Sequence, residues 1–192
     1  MLILLNYSVK INNLKNHLII ATPSINDPIF KKSVILICDY DSEGSMGLII
    51  NKPINNYLLN NIILDSDLED LSIDSKIHLG GPVGLDVGFV IHDSNYATEK
   101  TLIISDSLSL TSDQKIIKDI KHKKGPHQYI FTLGYAGWDA FQLDNEIKNG
   151  DWLIEEATSD FIFNTNHDEK WNLSSKNLGI DLNELSNQSG LA

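Results

Sequence analysis

Residues 128–138, Gln-Tyr-Ile-Phe-Thr-Leu-Gly-Tyr-Ala-Gly-Trp, constrain this chain more than any other stretch. The apolar run up to Leu133 has strand character and is expected to stop at Gly134. Gly134 and Gly137 bracket Tyr135 and Ala136, and Trp138 follows. Glycine admits positive φ or a close backbone approach. Tyr and Trp are large, amphipathic and costly to leave bare. Such a corner is either a packed turn or the wall of a binding site. Trp138 has a structural explanation: as N′ of a helix capped by Asp139 it can staple onto Leu143, with Gln142 completing the capping box. Gly150 would end that helix. Tyr135 has no comparable local role, so it is the more telling of the two.

The apolar runs 17–21, 33–38 and 46–50 are short and uninterrupted, as in strands buried on both faces. Thr22-Pro23 ends the first. Asp27-Pro28 then opens one turn of helix, with Asp27 as N-cap and Pro28 at N1. Asn51-Lys52-Pro53 breaks the third run. Residues 58–64 read as a helix, 65–76 as an acidic surface loop, and 76–79 as a short strand running into Gly80-Gly81-Pro82-Val83-Gly84. Strands are expected at 87–92, 101–104 and 107–110. Thr111 and Gln114 have capping-box spacing ahead of a stripe of Ile116, Ile117 and Ile120. Residues 152–154 look extended, and the pattern beyond Ser159 is weakly helical. Strands and helices mix without strict alternation, which indicates α+β, and neither a repeat nor a linker divides the chain.

Charge excludes some functions. The chain of 192 residues carries a net charge of −11, and all of its basic residues are lysine. Arginine is the preferred fork for phosphate and for guanine edges. An acidic chain without it repels nucleic acid overall, so direct nucleic-acid binding is not expected. The apolar start, residues 1–5, is too short for a signal peptide and lacks a basic region before it. No run reaches the roughly twenty apolar residues of a membrane span. A cytoplasmic protein that does not contact membranes is the expectation. Cys38 stands alone within an apolar strand beside Asp39, and reads as a buried, unreactive thiol.

Several constellations have bland explanations. Asp39, Asp41, Glu43 and Gly44 imitate the start of a calcium loop, but position 12 is Ile50, so a solvated strand connection fits better. The run 80–84 could form a nest for an anion, yet it lacks P-loop and dinucleotide-loop spacing, and Pro82 removes a donor. The basic cluster Lys121, His122, Lys123 and Lys124 falls at a helix C-terminus, where it complements the dipole. The six histidines show no metal-ligand spacing, so no metal or cofactor is expected. Asp67, Glu69 and Asp70 lack an apolar setting that would raise a pKa for acid catalysis.

Taken in order, the motifs resemble the bacterial YqgE/AlgH family. They comprise Pro23 with Asp27, Pro28, Phe30, Ser33 and Val34; Met46-Gly47 with Asn51-Lys52-Pro53; and Gly80-Gly81-Pro82-Val83. Gly134 to Trp138 follow, with Gln142, Leu143 and Glu146. Trp152, Trp171, Leu178 to Asp181 and Gly190 to Ala192 complete the match. The family usually carries glycine and proline between the Trp and the Gln-Leu pair, where this chain has Asp139-Ala140-Phe141. The resemblance implies a single α+β domain, a bifurcated β-sheet folded into a pseudo-barrel with surrounding helices. It covers residues 13–192, leaving 1–12 as an N-terminal extension. It implies little about activity, though some members carry the label of transcriptional regulator linked to alginate production.

The residue pattern leads to a non-enzymatic binding or regulatory protein acting on an unknown protein or small molecule. Its surface is expected to gather Pro23, Asp27, Phe30, Ser33, Asn51, Lys52, Gly81, Pro82, Tyr135 and Trp138, because such residues sit at strand ends and turns. Lys52 and Asp27 would supply charge, Asn51 an amide, and Tyr135 and Trp138 an apolar wall. One alternative is a hydrolase or transferase with Ser33, Asp27 and Lys52 as its players, which needs a base within reach of Ser33 Oγ. The other is a transcriptional regulator acting on DNA directly or through a partner.

Overall fold

Strands with no polar alternation require cover on both faces, since each buried Ile or Leu contributes about 1.5–3 kcal/mol only if it leaves water. The computed structural model describes residues 13–54 and 77–182 and meets that requirement. The three apolar runs become β1 (His17–Ala21), β2 (Val34–Tyr40) and β3 (Gly44–Ile49). They are followed by β4 (His78–Leu79), β5 (Val83–Asp93), β6 (Thr101–Ile103) and β7 (Leu108–Thr111). Helix α1 (Gln114–Lys121) leads to β8 (Tyr129–Asp139), α2 (Gln142–Lys148) and β9 (Trp152–Glu156). Helices α3 (Ser159–Asn164) and α4 (His167–Asn177) complete the described chain. The helix expected at 58–64, the loop at 65–76, the extension 1–12 and the terminal Gly190 to Ala192 motif lie outside the described residues.

The strands form one sheet in the order β6-β7-β5-β8-β3-β2-β1-β9, with β4 added in parallel to β8. The other pairings are antiparallel, and the sheet curls into a half-barrel flanked by the four helices. The pleat sorts the core. Leu18, Ile20, Leu36, Leu48 and Ile50 join Ile162 of α3 and Trp171 of α4 on one face. Ile19, Ile35, Ile37 and Ile49 join Trp138, Leu143 and Trp152 on the other. Cys38 is buried in the first cluster, where desolvation pushes its thiol far above the usual range and its Sγ lies 3.5 Å from the Leu36 carbonyl. Asp41 closes the β2–β3 connection, its carboxylate accepting the N–H groups of Glu43 at 2.7 Å and Gly44 at 3.2 Å.

Strand β8 does not stop at Gly134. It pairs with β5 from Tyr129 to Tyr135 and with β3 from Ala136 to Asp139, so it belongs to both halves of the sheet. Gly134, at φ 68°, sits at the register shift of the β5 pairing, between Leu133 opposite Gly88 and Tyr135 opposite Val83, one residue before β8 passes to β3. Gly80 and Gly81 cross it at backbone contact. A Cβ on Gly81 would lie 2.1 Å from the Tyr135 carbonyl carbon, and one on Gly80 would lie 2.2 Å from the Gly134 oxygen. Bonds from Gly80 N to Leu133 O (2.8 Å) and from Ile49 N to Gly80 O (2.9 Å) lock the crossing. The run 80–84 is therefore a crossing strand connection, and the bifurcation of the sheet is located at this point.

Two helix starts differ from expectation. Asp113, not Thr111, caps α1, its side chain accepting the Lys115 N–H at 3.0 Å. Thr111 is the last residue of β7, and its buried hydroxyl is taken by Thr101 Oγ1 at 2.7 Å and His92 Nε2 at 2.9 Å. Helix α2 begins at Gln142 with Phe141 as N-cap, in the left-handed region at φ 62°, whereas Asp139 still belongs to β8. Half of the expected box survives: Gln142 Oε1 accepts the Asp139 N–H at 3.0 Å. Trp138 and Leu143 lie in one buried cluster, although the Asp139 cap does not form.

Candidate functional site

The ten residues expected to form one surface fall into two groups. Asp27 caps a single turn, its carboxylate accepting the N–H groups of Ile29 at 2.8 Å and Phe30 at 3.1 Å. Lys52 reaches the other end of that turn. Its Nζ donates to the carbonyls of Pro28 (3.2 Å), Ile29 (2.5 Å) and Lys31 (2.8 Å). Burial holds its pKa below the ordinary lysine value, against a raising influence from Asp27. Asn51 bridges the same loop to β2, accepting from Val34 N at 2.8 Å and donating to Lys32 O at 2.9 Å. Pro23 follows Thr22, whose N–H donates to Asp151 O at 2.9 Å. The polar atoms of Asn51 and Lys52 are thus committed to stitching the loop 22–33 onto the sheet.

Phe30 connects this loop to Trp138 through Trp152, with edge-on ring contacts at 6.0 Å and 6.1 Å. The two indoles converge on one carboxylate oxygen: Trp138 Nε1 and Trp152 Nε1 donate to Glu146 Oε2 at 2.9 Å and 2.8 Å. Gln142 Nε2 donates to Oε1 at 2.8 Å. Glu146 is a motif residue whose role the sequence did not disclose, because its partners lie on two strands that only the fold brings together. Ser33 is fully buried, and its Oγ meets no hydrogen-bond partner among the described residues. The base that a serine nucleophile needs is therefore not in place at Ser33.

The second group, Gly81, Pro82 and Tyr135, belongs to the glycine crossing. Tyr135 packs against the cluster on the sheet face opposite to Trp138, with its ring edge-on to Phe89 at 6.1 Å. Its neighbour across the ladder is Val83. Val83, Leu85 and Val87 are 43%, 38% and 37% exposed, an unusual run for apolar strand residues, and Pro82 and Asp86 are also exposed.

A further cluster was not anticipated. A cleft of about 330 Å³ lies between the α3–α4 junction, Ile50 and the start of β8. His78, His167 and Lys170 line it together with Ile130, Ile162 and Phe163. The His78 and His167 rings stand edge to face at 5.9 Å. Lys170 is buried, donates to the Thr165 carbonyl and lies 5.7 Å from the Phe161 ring. Burial pushes its pKa down to about 8. Helix α4 is held in place by Trp171, whose Nε1 donates to Ala21 O at 2.8 Å beneath Lys32 Nζ at 4.8 Å. The only local hint is that the buried stripe of α4, Lys170, Trp171, Ser174 and Ser175, contains a lysine where an apolar residue is ordinary. The histidines are far apart in sequence and no spacing rule joins them. Among the described residues no three His, Cys, Asp or Glu side chains form a metal-holding group. No helix among them is long and apolar enough to cross a membrane.

A family model described as AlgH-like, DUF179, matches residues 18–183. A UPF0301 protein of Shewanella loihica is 41% identical over 184 residues, covering 94% of this chain and 100% of that protein. Another UPF0301 protein, from Pseudoalteromonas translucida, is 36% identical and covers 94% and 99%. The solution structure of the AlgH protein from Pseudomonas aeruginosa superposes with a TM-score of 0.73 at 32% identity, covering 91% of this chain and 93% of that one. A crystal structure of a Corynebacterium diphtheriae protein shares the fold at 18% identity, with a TM-score of 0.68 and coverage of 85% and 86%. The curled sheet with its flanking helices is therefore a shared fold, and the chain belongs to the AlgH-like family.

Proposed function

We propose that this protein is a non-enzymatic, cytoplasmic binding or regulatory protein, and that its docking surface is the glycine crossing. Gly81, Pro82 and Tyr135 form its centre, with Val83, Leu85 and Val87 as the contact side chains. The observation that carries this reading is the run of three exposed apolar residues beside a half-buried tyrosine, on a backbone made rigid by the crossing. Pro23, Asp27, Phe30, Ser33, Asn51, Lys52 and Trp138 act in this reading as the scaffold. The partner is a protein with an apolar contact rimmed by basic groups, since Asp86 interrupts the patch and the chain carries −11 overall. Regulation would run through that protein, because an acidic chain without arginine is a poor match for DNA phosphate.

The test is affinity capture from a native bacterial lysate with wild type and a Leu85→Asp/Val87→Asp variant of intact fold. The reading predicts a basic protein recovered by wild type, lost by the variant and rebound as a purified component. Equal recovery by both proteins removes the surface from consideration. A low-salt mobility shift with the purified protein alone would reinstate direct DNA binding.

A further inference from the structure

A buried ammonium costs several kcal/mol in desolvation unless a counter-charge or several acceptors offset it. Lys170 has neither. Its one hydrogen bond is to the neutral Thr165 carbonyl, and no carboxylate of the described residues pairs with it. Helical lysines ordinarily reach solvent along a flexible stem. This one turns inward beside a cleft, on the buried stripe of a helix anchored by Trp171. Two imidazoles, His78 and His167, flank the same space.

From this geometry we infer that the cleft binds a small organic acid, with its anionic head at Lys170 and the two imidazoles, and its apolar body against Ile130, Ile162 and Phe163. The volume of about 330 Å³ is at the lower end of ligand pockets. The acidic neighbourhood limits the charge of the guest. Asp168 Oδ1 lies 3.3 Å from His167 Nε2, and Glu169 shares the first turn of α4. Both carboxylates repel a multiply charged anion more strongly than a monocarboxylate, which favours an organic acid over inorganic phosphate. The apolar side of the lining, formed by Ile50, Ile130, Ile162 and Phe163, favours it further.

The inference is tested by amide and side-chain NMR titration of the full chain with phenylacetate and hexanoate, against phenylacetamide and inorganic phosphate. Both acids are expected to give saturable shifts at His78, His167 and Tyr129, and Lys170→Met to weaken them roughly tenfold or more, as for loss of a charged hydrogen bond. No saturable shift up to about 10 mM, a millimolar affinity being the weakest of use, overturns the inference. So does equal binding of phenylacetamide, a response to phosphate alone, or unchanged affinity in folded Lys170→Met. If that variant does not fold, the titration of Lys170 itself decides, read at its ε-carbon in the wild type. Phenylacetate should move it to higher pH, and an unmoved titration rejects the site.

Discussion

Glu146 and Lys170 are both charged side chains drawn into the fold, and their surroundings are opposite. The Glu146 carboxylate accepts three side-chain N–H donors, two of them indoles with few other ways to be satisfied. The Lys170 amine has one carbonyl, the Phe161 ring at 5.7 Å and a cleft, with no counter-charge among the described residues. A saturated charge is a fastener. An unsaturated one is a cost that only another role explains. Lys52, which donates to three carbonyls of a single turn, stands with Glu146 in this contrast. Chemistry-bearing residues in this molecule are better sorted by what their polar atoms already hold than by residue type.

Substitutions can break that contrast. Glu146→Leu strands both indole N–H groups and should lower the unfolding free energy by about 3 kcal/mol, since each orphaned buried donor costs ~1–3 kcal/mol. Denaturant unfolding measures this, and acid binding at the cleft should survive. A Glu146→Leu variant as stable as wild type would show that the carboxylate is no fastener. Lys52→Met should cost about 2 kcal/mol in the same assay, as the turn 28–31 loses its donor while its carbonyls keep access to water.

Lys170→Met should behave in the reverse sense. Replacing a buried unpaired charge by an apolar side chain of similar length should leave stability unchanged or raise it by about 1 kcal/mol. A loss of several kcal/mol would place Lys170 with Glu146 and undo the comparison. pH sharpens the point. Burial holds the folded amine at about 8, against 10.5 for an ordinary lysine. Between those values the unfolded chain binds more protons than the folded one, so wild-type stability rises with pH there. The penalty is complete below about pH 8 and disappears above 10.5. The advantage of Lys170→Met over wild type should therefore shrink across that interval, as read from unfolding curves at several pH values.

The smallest effect is expected at Phe141. This residue is 69% exposed and holds a left-handed conformation at φ 62°. Phe141→Gly should raise stability by about 0.5 kcal/mol, the relief of ~1–2 kcal/mol of strain being partly offset by glycine's greater unfolded-state freedom. No gain in the melting temperature would mean that the ring contributes packing that its exposure does not suggest.

Much of the fold was legible because it is written in local patterns. Uninterrupted apolar runs at 17–21, 33–38 and 46–50 announced strands covered on both faces, and each is such a strand. The motif order announced the family. Local rules failed where a distant group claimed the residue first. Thr111 has capping-box spacing, but its hydroxyl is held by His92 and Thr101. Gly134 looks like a stop, but Gly80 and Gly81 cross it and β8 continues onto a new neighbour. Tyr135 and Trp138 look like one wall, but the pleat places them on opposite faces.

The sequence by itself determined the class of fold, the family and the sheet-forming segments, because burial and turn geometry act between residues close along the chain. Only the tertiary structure decided what the polar groups do. It tied Lys52 and Asn51 to a loop about twenty residues earlier. It brought two tryptophans to one carboxylate and gathered His78, His167 and Lys170 around a cleft. The glycines of the opening corner likewise acquired their meaning from a strand connection some fifty residues upstream. Hydrogen bonds and charges are satisfied in space, and no period in a sequence encodes the partner that the fold supplies.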